Sequence, residues 1–418
     1  MSGLDPDQLE QQCKEEITIE DLIPTFGLFN SNLEEKSFHF LSTDSLKFLL
    51  FRLSFQVLVG MNHDAAALDE MCSYCRNQHK SNTAQLKKID QFRGRYDKDK
   101  AIYYYTEDSF VYRLINQAFR SEDIDRIFKC RHYITHLHQH LAKQANQQGA
   151  SGIDKHVYRG QTLPIVVLQK LKENEGKLIS INGFLSVTQN SSYGAQYACV
   201  GTCNDKYASV IFEMKIDPTK NTTVPIANIT KLSNSPHECE ILFSIGSVWY
   251  LESVEEDTFY WTIKLKFCDD SNPQSAQLDE QLTKLDECLT NGSTYLSLGN
   301  ILRALGDKPN AENFYQRMLD DRTLSYKTRG HIYYNIGTLA AEQGRYGDAL
   351  KNVQKAKELI QSGAELSDRQ EISYELVYSY NKLPSRLRIF NTLGLLYQKK
   401  GNYEDAQKWV ARIQLWQI

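Results

Sequence analysis

The 418-residue sequence predicts an α+β domain, a helical lobe ahead of a mostly antiparallel β-sheet, followed by an all-α region of repeated helical hairpins. Three observations carry this. Apolar residues recur at helical spacing up to about residue 150, and from about residue 155 they alternate with period two. In the last third, two glycines and an alanine return three times at constant offsets. At roughly 150 residues per domain, the length suits two or three domains.

Composition narrows the class. With 41 % apolar and 24 % charged residues the chain reads as an ordinary globular protein. A formal net charge of −4 gives no electrostatic reason to expect nucleic acid or a membrane as partner. The opening MSGLDPDQLEQQCKEEITIED is acidic and polar, unlike a secretion or transit signal, and nine scattered cysteines suit reduced thiols. A cytoplasmic location is expected.

Taken in order, residues 1–60 form an unassigned N-terminal extension, expected to pack on the domain after it. The run LKFLLFRLSFQVLVGM is broken by Lys47, Arg52 and Gln56 and is too short to span a bilayer; it reads as a buried helix or a strand pair. AIYYYTEDSFVYRLINQAFRSEDIDRIFKCRHYITHLHQHL reads as helical throughout, with Phe110, Leu114 and Ile115 on its apolar stripe. KHVYRG is expected as a strand, PIVVLQKL as a helix, and GKLISINGFLSVT as two extended segments. YASVIFEMKID alternates, and VWYLESVEEDTFYWTIKLKF reads as a hairpin with Trp261, Ile263, Leu265 and Phe267 on one face. The first domain is drawn over 61–268, a linker marked by DDSNPQSAQLDEQ over 269–290, and the repeats over 291–418.

Two cysteine and histidine patterns are read as structural. Cys72-x-x-Cys75 with His79 resembles half a zinc site without a second half. His132, His136 and His140 lie one turn apart and read as a polar helix face, with no metal expected.

In the repeats, glycines fall at 299, 337 and 394, a second set at 306, 344 and 401, and alanines at 311, 349 and 406. This is the pattern of the tetratricopeptide repeat, a helical hairpin of roughly 34 residues. The first glycine lets the two helices approach, the second ends the first helix, and the alanine sits at the crossing. The spacings of 38 and 57 residues exceed the norm, so insertions are expected, the longer being GAELSDRQEISYELVYSYNKLPSR. Solenoids close with a polar helix, which the segment up to Ile418 lacks, so a longer chain or a covering partner is expected. Such a surface binds a peptide or protein.

Three short strand motifs occur in the α+β domain: Tyr158-Arg159-Gly160, then Phe184-Leu185-Ser186-Val187-Thr188, then Glu238-Cys239-Glu240. In an extended chain Glu238 and Glu240 would project from one face. In order and strand context the three resemble the arginine-specific mono-ADP-ribosyltransferase family, over roughly residues 62–268. The resemblance implies a split sheet with NAD+ as co-substrate, no metal, and a protein acceptor with an exposed arginine. Glu240 would stabilise the positive charge that builds on ribose when nicotinamide leaves. Arg159 would bind an NAD+ phosphate, and Gly160 would leave its backbone open to the nicotinamide amide. Ser186 would bond the nicotinamide ribose or hold Glu240, and Thr188 would brace the strand. Glu238 would bind the acceptor guanidinium and draw off its proton, and one acid of the pair is expected to titrate upward. Tyr193, with Tyr197 as alternative, would pack on nicotinamide. The loop IANITKLSNSP carries no aromatic to grip a guanidinium. The competing readings are an NAD+ glycohydrolase and a catalytically silent repeat scaffold.

Overall fold

The computed structural model describes residues 26–29 and 43–414, apart from 62–64, 108, 121–122, 150–151, 182, 200–205, 221, 290–293, 321–323 and 365–385. The chain divides into two compact units, Met1–Gln281 and Leu282–Ile418. Most of the long insertion of the repeats falls outside the described residues.

The helical lobe of the first unit runs through α1 (Thr43–Val59), α2 (Ala65–Gln78), α3 (Thr83–Arg95), α4 (Ala101–Thr106), α5 (Phe110–Arg120), α6 (Ile124–Lys129) and α7 (Arg131–Gln148). Of the two readings of residues 46–61, the helix holds. Phe48, Leu49, Leu50, Phe51, Leu53 and Leu58 are all buried, so apolar side chains surround α1 on nearly every side. The stretch expected to be helical throughout is four helices. One break is visible in its capping: the Asp123 carboxylate accepts the Arg126 amide and starts α6. The histidines of α7 do not form a polar face. His132 is buried, its ring lies 4.4 Å from that of His136, and Tyr96 stacks on His136 with its hydroxyl 2.9 Å from Nδ1. Cys72 and Cys75 are buried too, and burial pushes their thiols up to about 11 and about 12.

Among the described residues nine strands form one sheet: β1 (Phe26–Phe29), which precedes the lobe, then β2 (His156–Pro164), β3 (Leu178–Ile181), β4 (Leu185–Thr188), β5 (Tyr207–Lys215), β6 (Ile226–Asn228), β7 (Glu240–Phe243), β8 (Ser247–Glu256) and β9 (Trp261–Phe267), in the order β1-β3-β8-β9-β5-β2-β4-β7-β6. Among the described residues only β5 and β9 pair in parallel. α8 (Ile165–Lys172) follows β2, and α9 (Ser191–Cys199) follows β4. The extension thus supplies both an edge strand, β1 on β3, and the helix α1. As the alternation requires, Trp261, Ile263, Leu265 and Phe267 share the buried face of β9. They join Val157, Phe212, Ile241 and Trp249 in the main core.

One joint in this sheet is narrow. β2 pairs with β5 over nine positions but with β4 at a single one, Tyr158 opposite Thr188. The sheet is hydrogen-bonded throughout, yet it splits beside Arg159. Much of the segment expected as a linker is the helix α10 (Pro273–Leu289).

The second unit consists of helical hairpins: α11 (Thr294–Leu305) with α12 (Lys308–Leu319), α13 (Tyr326–Glu342) with α14 (Tyr346–Ala364), and α15 (Arg386–Lys399) with α16 (Tyr403–Gln414). The expected roles of the small residues hold. A Cβ on Gly337 would lie 2.6 Å from Val353 Cγ2, and one on Gly299 would enter the Tyr315 ring. Gly306, Gly344 and Gly401 end their helices with positive φ, and Ala311, Ala349 and Ala406 are buried.

Candidate active site

The three sequence motifs meet at the narrow joint. Arg159 comes from β2, Ser186 and Thr188 from β4, and Glu240 opens β7, on three adjacent strands. Thr188 lies opposite Glu240 in the ladder, and Ser186 shares the face of Thr188 two residues on. Ser186 is therefore the diagonal neighbour of Glu240, and its hydroxyl donates to Oε1 at 2.5 Å. This contact is the geometry that one of the two roles expected for Ser186, holding Glu240, requires.

Arg159 bridges the split. Its Nη1 donates to the Ser186 carbonyl at 2.7 Å, and its Nε donates to Gln161 Oε1 at 3.0 Å. The Ser186 carbonyl thus receives a guanidinium donor across the joint, and Gln161 fixes the plane of the fork. Gln161 was not singled out in the sequence, although its position two residues beyond Arg159 puts it on the same strand face. Its Nε2 is buried and without a protein partner. Gly160 follows where, among the described residues, β4 no longer pairs with β2, so that edge of the backbone is open.

Glu240 is 7 % exposed. Burial raises its carboxyl above the usual range, opposed by the Ser186 hydrogen bond; the charge of Glu238 raises it further, while Ser233 and Arg159 lower it. The expected upward titration appears, but desolvation leads and the like charge is a lesser cause. Ser233 Oγ donates to Oε2 at 3.2 Å, a contact that no local pattern indicates. Tyr105 of α4 is buried within reach of the charges of both Arg159 and Glu240, and its ring lies 5.6 Å from that of Phe184.

The geometry of the acid pair differs from expectation. Glu238 does not lie on an extended strand. It ends a 3₁₀ turn, Pro236–Glu238, and Cys239 then adopts φ 49° and ψ 52° before β7 begins. The left-handed residue breaks the pleat, so a shared strand face does not relate the two carboxylates. Glu238 is partly exposed, with His237 Nε2 at 4.0 Å from its Oε1. Thr188 braces this turn rather than the strand alone: its hydroxyl donates to the Glu238 carbonyl at 2.6 Å and accepts the Asn190 amide at 3.1 Å.

Tyr193 lies in the first turn of α9, half-buried, with its ring 6.1 Å from that of His237. α9 lies close on β2 because Gly194 has no side chain; a Cβ there would sit 2.8 Å from Tyr158 Cβ. The Tyr197 side chain is outside the described residues. Among the described residues no group of three or more His, Cys, Asp or Glu side chains could hold a metal ion, and no helix is long and apolar enough to cross a membrane.

No curated protein matches the sequence. Among solved structures, the chain is similar to the Vis toxin, an ADP-ribosyltransferase from Vibrio splendidus, with 19 % identity, 52 % of this chain and 92 % of that one covered, and a TM-score of 0.32. It is similar to the ADP-ribosyltransferase HopU1 of Pseudomonas syringae pv. Tomato DC3000, with 18 % identity, 54 % and 98 % covered, and a TM-score of 0.33. C3stau2 from S. aureus, solved with NAD, shows 18 % identity, 46 % and 97 % covered, and a TM-score of 0.30. A family model described as tetratricopeptide repeat matches residues 330–362 and 387–413, the hairpins α13–α14 and α15–α16, so the second unit carries tetratricopeptide repeats.

Proposed function

We propose that the first unit is an NAD+-dependent mono-ADP-ribosyltransferase that modifies arginine on a protein acceptor, in the cytoplasm, with the repeats holding the target or a partner protein. The observation that carries this reading is the chain of contacts Arg159–Ser186–Glu240 across three adjacent strands at the split of the sheet. A buried carboxylate held by hydroxyl donors, beside a permanent cation and an open backbone edge, suits a dinucleotide whose glycosidic bond is to break.

In the reaction the bond between nicotinamide and ribose C1′ breaks, and nicotinamide leaves with the electron pair. Positive charge spreads over the ribose, and Glu240, accepting from the 2′-hydroxyl, stabilises it most in a water-poor setting. Ser186 and Ser233 orient that carboxylate. Arg159 meets a phosphate with its remaining donors, a planar fork matched to phosphate oxygens, while Gln161 keeps the fork from turning. Gly160 offers its backbone to the nicotinamide amide, and Tyr193 closes over the ring. An arginine nitrogen of the acceptor then attacks C1′. Its guanidinium carries a proton with a pKa above ~12, which must go to a base as the bond forms. Glu238, half-exposed at the mouth, binds the guanidinium and takes that proton. The mechanism calls on no metal, nucleic acid or membrane.

A second reading has its own support. Glu238 sits on a turn instead of a strand, and residues 226–236 offer no aromatic to grip a guanidinium. Water then becomes the acceptor and the activity that of an NAD+ glycohydrolase. Nicotinamide release from NAD+, measured with and without agmatine as a guanidinium acceptor, separates the readings. ADP-ribosylated agmatine supports transfer; release with agmatine untouched supports hydrolysis; no release refutes both.

A further inference from the structure

We propose that Ser233, on the loop between β6 and β7, is the second positioning residue of Glu240. With Ser186 it closes a clamp in which each carboxylate oxygen receives one hydroxyl proton. The proposal rests on the transferase reading and adds to it the element that ties the acceptor loop to the reacting carboxylate.

The two hydroxyls approach from different elements, Ser186 from β4 on Oε1 and Ser233 from the loop on Oε2. One bond would leave the carboxylate free to turn about its terminal torsion; two bonds to opposite oxygens set its plane. Ser233 is itself prepared for this. The Ser235 amide donates into Ser233 Oγ at 3.1 Å, which occupies a lone pair and leaves the hydroxyl proton for Glu240. The side chain is buried, and its amide is fixed by the Ile229 carbonyl at 2.8 Å.

The loop that carries Ser233 also carries Glu238. It is fastened to the helical lobe where the Asn234 amide donates to Thr106 Oγ1 at 2.8 Å, and to β4 where Thr188 meets the Glu238 carbonyl. The Gln189 amide on the Cys239 carbonyl at 3.3 Å fastens it again beside β4, and Ser233 fastens it to Glu240. Movement of the acceptor loop therefore changes the bonding of the carboxylate that serves the ribose.

The groups facing Glu240 are Arg159 from β2, Glu238 from the turn before β7, and Tyr105 from α4. Burial raises Tyr105 and keeps it neutral, and Glu238 is the one other carboxyl among these three groups. Repeating the pH series in a Glu238→Gln background removes its contribution.

The experiment is the pH dependence of nicotinamide release by the full chain, wild type against Ser233→Ala, Ser233→Cys and Ser233→Thr. Loss of a hydrogen bond to a buried carboxylate moves the acid limb of kcat/KM up by about one pH unit. kcat is expected to fall roughly tenfold with KM for NAD+ little changed, because the hydroxyl touches Glu240 and not the substrate. Ser233→Cys, which keeps the shape with a weak donor, shows the same shift even if the alanine variant folds poorly, and Ser233→Thr restores the wild-type limb. Independently of activity, a ¹³C titration of the Glu240 carboxyl without NAD+, assigned against Glu240→Gln, is expected to show a raised midpoint in Ser233→Cys. An unshifted limb together with an unshifted midpoint overturns the clamp. If the wild type releases no nicotinamide, the transferase reading fails and the carboxyl titration alone decides whether Ser233 holds Glu240.

Discussion

The two units use close approach for opposite ends. In the repeats, small residues let apolar helices touch: Gly337 admits Val353, and the buried Ala349 sits where its helix crosses the preceding one. In the sheet unit, close approach at Gly194 brings α9 against β2, and the neighbouring residues hold a nearly buried charge, Glu240, that burial alone would disfavour. The glycine contacts of the repeats join residues within one hairpin, while ion pairs such as Arg303–Glu342 tie neighbouring hairpins. Those of the site join β2, β4, β7 and a loop, so each depends on the register of the whole sheet. In the first unit a buried carboxyl is thereby separated from the apolar contacts that stabilise the fold.

The largest expected effect follows from that separation. Glu240→Gln should lower nicotinamide release by about 10³-fold, the scale of removing one preorganised electrostatic group. It should also raise the unfolding temperature. The folded carboxyl lies above its unfolded value, so its stabilising protonated form is lost as pH rises through the folded pKa, and at neutral pH the ionised group costs stability. A neutral isostere removes that cost. An unfolding temperature that falls, measured calorimetrically at pH 7.5, would count against this balance.

Next in size, Gly337→Ala should break the repeats and leave the site intact. The added Cβ meets Val353 and the Ala349 carbonyl, an overpacking of about 1–3 kcal/mol. A lower unfolding temperature with unchanged NAD+ turnover is the expected pair of results. Changed turnover would mean that the repeats act on the site.

A smaller effect is expected from pH. His138 of α7 is half-buried against the Phe55 ring and bonded to Ser244 Oγ at 2.7 Å, and burial holds its pKa below the usual 6.5. The folded value is depressed, so the unfolded chain binds the extra proton first. The stability is present above the unfolded pKa and lost as pH falls below it. Urea midpoints should drop between pH 7.5 and 5.5, and less so in His138→Gln.

The smallest change tests the acceptor loop. Thr188→Val removes the hydroxyl that braces the turn under Glu238, and transfer to agmatine should fall several-fold more than hydrolysis of NAD+. Equal losses would place Thr188 with the carboxylate clamp instead.

How much of the molecule is legible in its sequence differs by kind of contact. The repeat glycines and alanines, the alternation of β9 and the order of the three strand motifs are legible, because periodicity and steric demand are properties of neighbouring residues. The histidines of α7 read as polar and are not, since Tyr96, which covers them, lies some forty residues earlier in the chain. The acids read as a strand pair because β propensity carries no sign of the left-handed turn at Cys239.

The sequence by itself determined that a sheet bearing an arginine, a serine and a glutamate precedes helical hairpins. Tertiary structure decided that the sheet splits after the single pair Tyr158–Thr188, that Arg159 spans the split, and that Gln161 and Ser233 support the two charges. The physical reason is that a buried charge is satisfied by whichever donors the folded chain brings within about 3 Å. Such partners follow from strand register and loop closure, and local sequence pattern does not specify them.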